Sequence, residues 1–408
     1  MTPIKKYSTL FSLYIAQSVP MSFFSTVLPI IMRMEHFSLT NIAMLQLMKL
    51  PWILKFFWAP LVDKNSWSHL HYKRWIIGSE LMYAVTIFAL AFFNLHFDFH
   101  LMVILMVLAI TFSATQDIAS DALAIRMLKK EERAYGNSMQ SFGNFGGTLL
   151  GSGVLLLLYA VTGWSWVMVA LGGFVLIALI PLSLFVNKRN TAEIAPVQAG
   201  IKYSDLFRFF KLPGNGKQTL LLVVYYGGIL GILSLLKPYL VDLGYGLKEI
   251  AFMVGVFGTA CGAAGALLGG FILKRIGNRR GLRLFALVNV VAAAFFILIG
   301  HTASIYLLYV GIALLWIAYA LSSVVIYTIS MEKVRSGKEG TDYTLQIVIT
   351  HLMGIVFAVA FGKLADLLGF SSLFYIETTV GLVVFGIVFF LYDGKRKQLE
   401  PFHSSKKL

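Results

Sequence analysis

Residues 50–74, LPWILKFFWAPLVDKNSWSHLHYKR, decide the fold. They hold the second half of an apolar run broken by one lysine, Lys55. The run closes on an acid, Asp63, and a polar gap then leads to Lys73 and Arg74. The same pattern repeats outward along the chain. Apolar runs lie at about 8–33, 38–62, 73–95, 100–127, 134–160, 164–187, 217–241, 247–275, 280–300, 303–331, 339–367 and 371–393. At ~1.5 Å rise per residue each can cross a ~30 Å hydrocarbon core as a helix. The cations follow these runs. Of 34 Lys and Arg, all but six lie in the two termini or at the gaps after even-numbered runs. The exceptions are Arg33 and Lys248 in odd gaps, and Lys49, Lys55, Lys237 and Lys363 inside runs. The bias of cytoplasmic loops towards Lys and Arg therefore puts both termini and the even gaps in the cytoplasm.

Composition excludes the main rivals. Hydrophobic residues make up 58% of the 408 and charged residues 13%, too little polar surface for a soluble protein of this size. The net charge of +15 suggests nucleic acid, but it is spread over short topogenic segments and forms no binding face. A single cysteine, Cys261, excludes an intramolecular disulfide and a cysteine metal cluster. The first run is too long for a signal-peptide core and reads as a retained span. No Walker A motif, zinc-type His-Glu spacing or serine nucleophile elbow is present, so neither a metal nor a cofactor is expected, and an enzyme is not.

The longest polar gap, 188–216, carries Lys188, Arg189, Lys202, Arg208 and Lys211 among Pro196, Pro213, Gly214 and Gly216. It divides the chain into a six-helix half at 1–187 and another at 217–393, with a cytoplasmic tail at 394–408. Six is even, so the halves point the same way across the membrane. This is a parallel repeat, the arrangement of major facilitator transporters. The end of run two, Ala59-Pro60-Leu61-Val62-Asp63-Lys64, and the end of run eight, Gly270 to Arg279, resemble that superfamily's loop signature. The second copy has Lys274 where the acid belongs. Aligning Gln140 with Gln346 sets Glu332 opposite Arg126. The expected gating braces are then Asp63 with Arg126 and Lys274 with Glu332, the same pair with its signs exchanged.

Ionisable groups inside a span are costly and face a bundle interior or a water-filled cavity. Lys55 is eight residues from Asp63, Asp117 nine from Arg126 and Glu80 six from Arg74. Runs two, three and four thus place a cation and two acids at similar depth. Asp121 lies on the face of Asp117, at i, i+4. Lys55, Asp117, Asp121 and Glu80 are the candidate coupling groups, since a carboxylate that gains and loses a proton as a cavity opens to either side can couple solute to protons. Gln17, Gln116, Gln140, Asn144, Tyr225, Tyr226 and His351 are the candidate cavity-lining groups. Glycines 143, 147 and 151, and 258, 262 and 265, are expected to allow close helix approach.

The strings YIAQSVP at 14–20, LPWILKFFWAPLVDK at 50–64, ATQDIASDALAIRML at 114–128, ERAYGNSMQ at 132–140 and LKPYLVDLGYGLKEI at 236–250 together resemble the AmpG-like branch of the major facilitator superfamily. That branch includes muropeptide permeases, acetyl-CoA transporters and RhtX/FptX-type siderophore transporters. The Ala-Thr-Gln-Asp-Ile-Ala and Lys-Pro-x-Leu-Val-Asp forms look closer to the siderophore type. The resemblance implies an all-α integral membrane protein of twelve helices that works without ATP. Its motifs fall on Lys55, Asp63, Asp117 and Asp121. The antiporter signature of the fifth helix usually has a Gly-Pro step, whereas Gly143 here precedes Asn144, which argues against efflux. The expectation is a monomeric proton symporter in a bacterial inner membrane, surrounded by lipid, that imports a bulky polar solute. A ferric siderophore is the first candidate and an anhydromuropeptide the second. An efflux transporter and an integral-membrane enzyme are the rivals.

Overall fold

A computed structural model describes residues 2–184, 203–301 and 304–391. Among these residues there is no strand, and the twelve runs appear as twelve helical stretches. They are α1 (Pro3–Met34), α2 (39–64), α3 (His69–Leu90), α4 (Phe99–Met127), α5 (133–162), α6 (164–183), α7 (215–242), α8 (Lys248–Ile276), α9 (Asn278–His301), α10 (Ile305–Glu332), α11 (339–368) and α12 (370–391). Two glycines with positive φ make two of the breaks between apolar runs. Gly163 (φ 76°) separates α5 from α6, and Gly369 (φ 78°) separates α11 from α12. A side chain is strained in that conformation and glycine is not. Residues 188–202 of the expected linker and 394–408 of the expected tail lie outside the described residues. The rest of the linker holds a short helix, Ser204–Phe210, and the start of α7. Asp205 of that helix is pinned by Lys338 at 2.8 Å, beside the Arg335–Asp342 ion pair.

Within the first six helices α1 packs on α5, and α3 on α4 and α6. The glycine expectation holds here as close contact. A Cβ at Gly147 would meet Ser18 Cβ at 2.5 Å, and one at Gly151 would meet the Val19 carbonyl oxygen at 2.3 Å. Gly151→Ala should therefore destabilise the fold by ~1–3 kcal/mol through overpacking. Gly153→Ala, whose Cβ would meet nothing within 4 Å, is the control. A lowered thermal unfolding midpoint for the first variant alone is the expected result, and equal midpoints would show that α1 and α5 are not held this close.

The two sets of six meet through α5 against α8 and α10, and through α11 against α2 and α4. One apolar cluster spans the seam: Leu10, Tyr14, Ile125 and Leu128 against Met331, Tyr343 and Ile347. It lies towards the face that carries the N terminus and the gaps after even-numbered helices, called the basic face below. Among the described residues, every hydrogen bond and ion pair between the two sets lies on that side. Arg133 donates to the Met331 carbonyl at 3.0 Å, Asn137 to Thr328 at 3.3 Å and Ser138 to the Ala266 carbonyl at 2.7 Å. The molecule is closed there.

Candidate functional site

Helix α2 is not a uniform α-helix. Pro51 and Pro60 each lack the backbone N–H needed for an i−4 bond. The backbone tightens to 3₁₀ turns at Leu45–Lys49 and Lys55–Phe57. Such a stretch inside a helix often marks a functional position. Lys55 sits on it, wholly buried. Its ammonium donates to Asp117 Oδ2 of α4 and lies 4.5 Å from the centre of the Trp52 ring. The depth argument from sequence thus places together the two residues that it matched. One turn towards the basic face, Asp121 is buried as well. It accepts from the Tyr14 hydroxyl of α1 and from Gln140 Nε2 of α5 at 3.4 Å.

The polar residues around this pair form a connected set on α1, α4 and α5. Gln17 Nε2 donates to Gln116 Oε1, and Ser18 donates to Asn144 Oδ1 at 2.8 Å. His351 of α11 stands across the seam within electrostatic range of Lys55. Three polar atoms here, Gln116 Nε2, Gln140 Oε1 and the Tyr343 hydroxyl, are buried with no hydrogen-bond partner among the described residues. Buried polar groups are normally paired, and these are not. The second six helices carry a neutral counterpart. Gln218 of α7 donates to Gln346 of α11 at 2.9 Å, and Gln346 donates to the Ser330 carbonyl at 3.1 Å. The charges are concentrated in the first half.

Other expected members are placed elsewhere. Glu80 does not join the Lys55–Asp117 pair. It is buried beside Tyr83, and neither carboxylate oxygen has a hydrogen-bond partner among the described residues. Similar depth does not fix which way a side chain turns about its helix. Tyr225 does not line a cavity, because its hydroxyl donates to the Leu282 carbonyl of α9 at 2.9 Å. Tyr226 is buried with its ring 5.7 Å from that of Tyr319. These tyrosines are the first two residues of a break in α7 at residues 225–229. The helix resumes at Leu230, where the buried Glu377 of α12 accepts from Gly231 N at 2.8 Å and Ile232 N at 3.0 Å. It thereby satisfies donors that a helix start leaves free.

The two expected braces are not formed as ion pairs. Asp63 points at the first turn of α11 and accepts from Gly340 N at 3.0 Å, Thr341 N at 2.6 Å and the Tyr72 hydroxyl at 2.7 Å. Arg126 pairs instead with Glu339 of α11 at 3.3 Å and lies over the Tyr72 ring. Lys274 lies over the Tyr135 ring, and Glu332 accepts from Asn278 at 2.8 Å. The physical reason is the helix start. Free N–H groups and the positive end of the helix dipole offer a carboxylate more than one guanidinium already shared with another acid. The lock crosses between the two sets of helices where a brace within each was expected. Tyr72 and Glu339 complete these contacts and, like Tyr14 at Asp121, carry no assigned role in the sequence reading.

Known proteins agree with this architecture. A family model described as Major Facilitator Superfamily matches residues 10–358. The Rickettsia conorii protein designated transporter AmpG 4 is 24% identical over 402 residues, covering 94% of this chain and 95% of its own length. The anhydromuropeptide permease of Escherichia coli K12 is 26% identical over 280 residues, 67% of this chain and 56% of that protein. Two solved structures share the fold. One is a bacterial homologue of the iron transporter ferroportin in its outward-facing state, with TM-score 0.72, 15% identity and coverage of 95% and 99% of the two chains. The other is the transporter FucP in the outward conformation, with TM-score 0.71, 17% identity and coverage of 96% and 99%. With a family match over most of its length and twelve helices in the same arrangement, this chain belongs to the Major Facilitator Superfamily and is a multi-pass membrane protein with the fold of its transporters.

Proposed function

We propose that the chain is a proton-coupled importer of a bulky polar solute in a bacterial inner membrane, with the basic face cytoplasmic. One observation carries the reading: the buried Lys55–Asp117 pair, with Asp121 one turn below it and hydrogen bonds that join the two sets of helices on the basic face. A buried carboxylate held against a cation can exchange its partner for a proton when the cavity turns over. The unpaired amide and hydroxyl atoms of Gln116, Gln140 and Tyr343 suit a solute rich in amides and hydroxyls.

Among such solutes an anhydromuropeptide fits best. It presents peptide and sugar groups to those atoms, and the E. coli permease named for this substrate is a relative. A ferric siderophore is the second reading, on the strength of the ATQDIA string at 114–119 and the LKPYLVD string at 236–242. Purified protein in proteoliposomes, with the outside made acidic, should accumulate radiolabelled anhydromuropeptide above its external concentration. A protonophore should collapse the gradient, and a ferric siderophore should not compete. Competition by the siderophore at equal concentration would exchange the two readings. No accumulation of either solute would reject both.

A further inference from the structure

A groove of about 650 Å³ opens on the outer wall of the first six helices, between α2, α3 and α4. Its size falls within the roughly 300–1,000 Å³ of ordinary ligand pockets. It is separate from the polar set around Lys55. On α3 it is lined by His71, Trp75, Gly78 and Met82, which repeat at helical spacing along one face. The eleven steps from His71 to Met82 rise about 16 Å, close to half of a ~30 Å hydrocarbon core. The groove therefore runs from the boundary on the basic face to about the midplane, the depth of one leaflet.

Its two ends differ in chemistry. Arg74, His71 and Asn65 stand at the boundary end, and Trp58, Met82 and Phe112 line the deeper part. None of the lining residues is acidic. Arg74 is exposed and has no hydrogen-bond or ion-pair partner among the described residues. The nearest acid along α2, Asp63, is turned away towards α11. A free guanidinium at the headgroup level above an apolar slot one leaflet deep is complementary to one kind of molecule.

We propose that this groove binds a single anionic phospholipid of the leaflet on the basic face, with its phosphate on Arg74 and His71 and an acyl chain along Trp58 and Phe112. Arginine matches phosphate in a forked geometry that a neutral or zwitterionic headgroup shares less well in net charge. The floor of the groove is the reverse side of the transport site. Trp58 Nε1 donates to Thr115 Oγ1 at 3.1 Å, tying α2 to α4 three residues from Lys55 and two from Asp117. An occupant there holds the spacing of the two helices that carry the pair.

The test is native mass spectrometry of the full chain, titrated in detergent with palmitoyl-oleoyl phosphatidylglycerol or with phosphatidylcholine of the same chains. The wild type should retain one phosphatidylglycerol in preference to phosphatidylcholine. Arg74→Gln should weaken phosphatidylglycerol about fivefold, as expected for one interfacial cation, and phosphatidylcholine less, because choline offsets the charge of the same phosphate. Gly78→Leu should weaken both lipids by filling the slot. A Cβ at Gly78 meets nothing within 4 Å, so this variant is expected to fold, and an unchanged thermal midpoint checks that. Equal retention of the two lipids by the wild type, or retention that neither substitution alters, would overturn the proposal.

Discussion

Asp117→Asn should abolish accumulation driven by a pH gradient and leave solute exchange at equilibrium measurable. The substitution keeps shape and removes the charge that faces Lys55. It also leaves a wholly buried ammonium without its counter-ion, which costs ~3–5 kcal/mol. That cost is structural and has to be separated from coupling. The double variant Lys55→Gln, Asp117→Asn removes both charges and replaces the ion pair with two neutral amide groups. It should regain thermal stability and exchange relative to the single variant, and still fail to accumulate solute. Full pH-driven accumulation by Asp117→Asn would exclude Asp117 as the coupling acid. Loss of exchange in the double variant as well would move the pair from coupling to solute binding.

Asp121 is the control within the same helix. It has no cation in contact; Tyr14 and Gln140 hold it through hydrogen bonds. Asp121→Asn can still accept from Tyr14 through its amide oxygen. It should retain more accumulation than Asp117→Asn in the same vesicles. The reverse order would transfer the coupling role one turn towards the basic face.

The Lys55–Asp117 pair was legible in the sequence because helical rise converts residue counts into depth, and an ion in a bilayer has few places to go. The 3₁₀ turns of α2 alter that rise locally, yet over eight residues the shift is small against the length of a lysine side chain. Rotation about the helix axis was not legible, so Glu80 stands among the candidate coupling groups by depth but does not meet the Lys55–Asp117 pair. The helix breaks at Gly163 and Gly369 follow from backbone conformation at single residues, and the apolar runs already ended beside both. The contact of Asp63 with α11 was beyond reach for another reason. Its partners are backbone N–H groups at 340 and 341, which carry no signature in side-chain pattern and come from the other end of the chain. Arg126, the nearest cation by sequence logic, is taken by Glu339 of that same helix start.

That contact is where the second large effect is expected. Asp63→Asn should open the seam on the basic face. Each carboxylate oxygen of Asp63 accepts one N–H from the first turn of α11. An asparagine offers one acceptor and one donor, so one of those N–H groups would face another donor. Hydrogen bonds to a charged group contribute roughly 1.5–3 kcal/mol, and a donor left unsatisfied costs about 1–3 kcal/mol. A loss of about 2–4 kcal/mol shifts a two-state balance by roughly 30-fold to 1,000-fold. The shift can be read in a Cys261→Ala background with spin labels at Lys64 and Ser336. Both positions are accessible, and they flank the contact on α2 and in the loop before α11. The parent should give one short distance, and Asp63→Asn should move most of the population to longer ones. Glu339→Gln, which weakens only the side-chain pair with Arg126, should move less. If the distances in Asp63→Asn match the parent, the grip of Asp63 on α11 does not hold the seam closed, and the apolar cluster of Leu10, Tyr14, Met331 and Tyr343 does so without it.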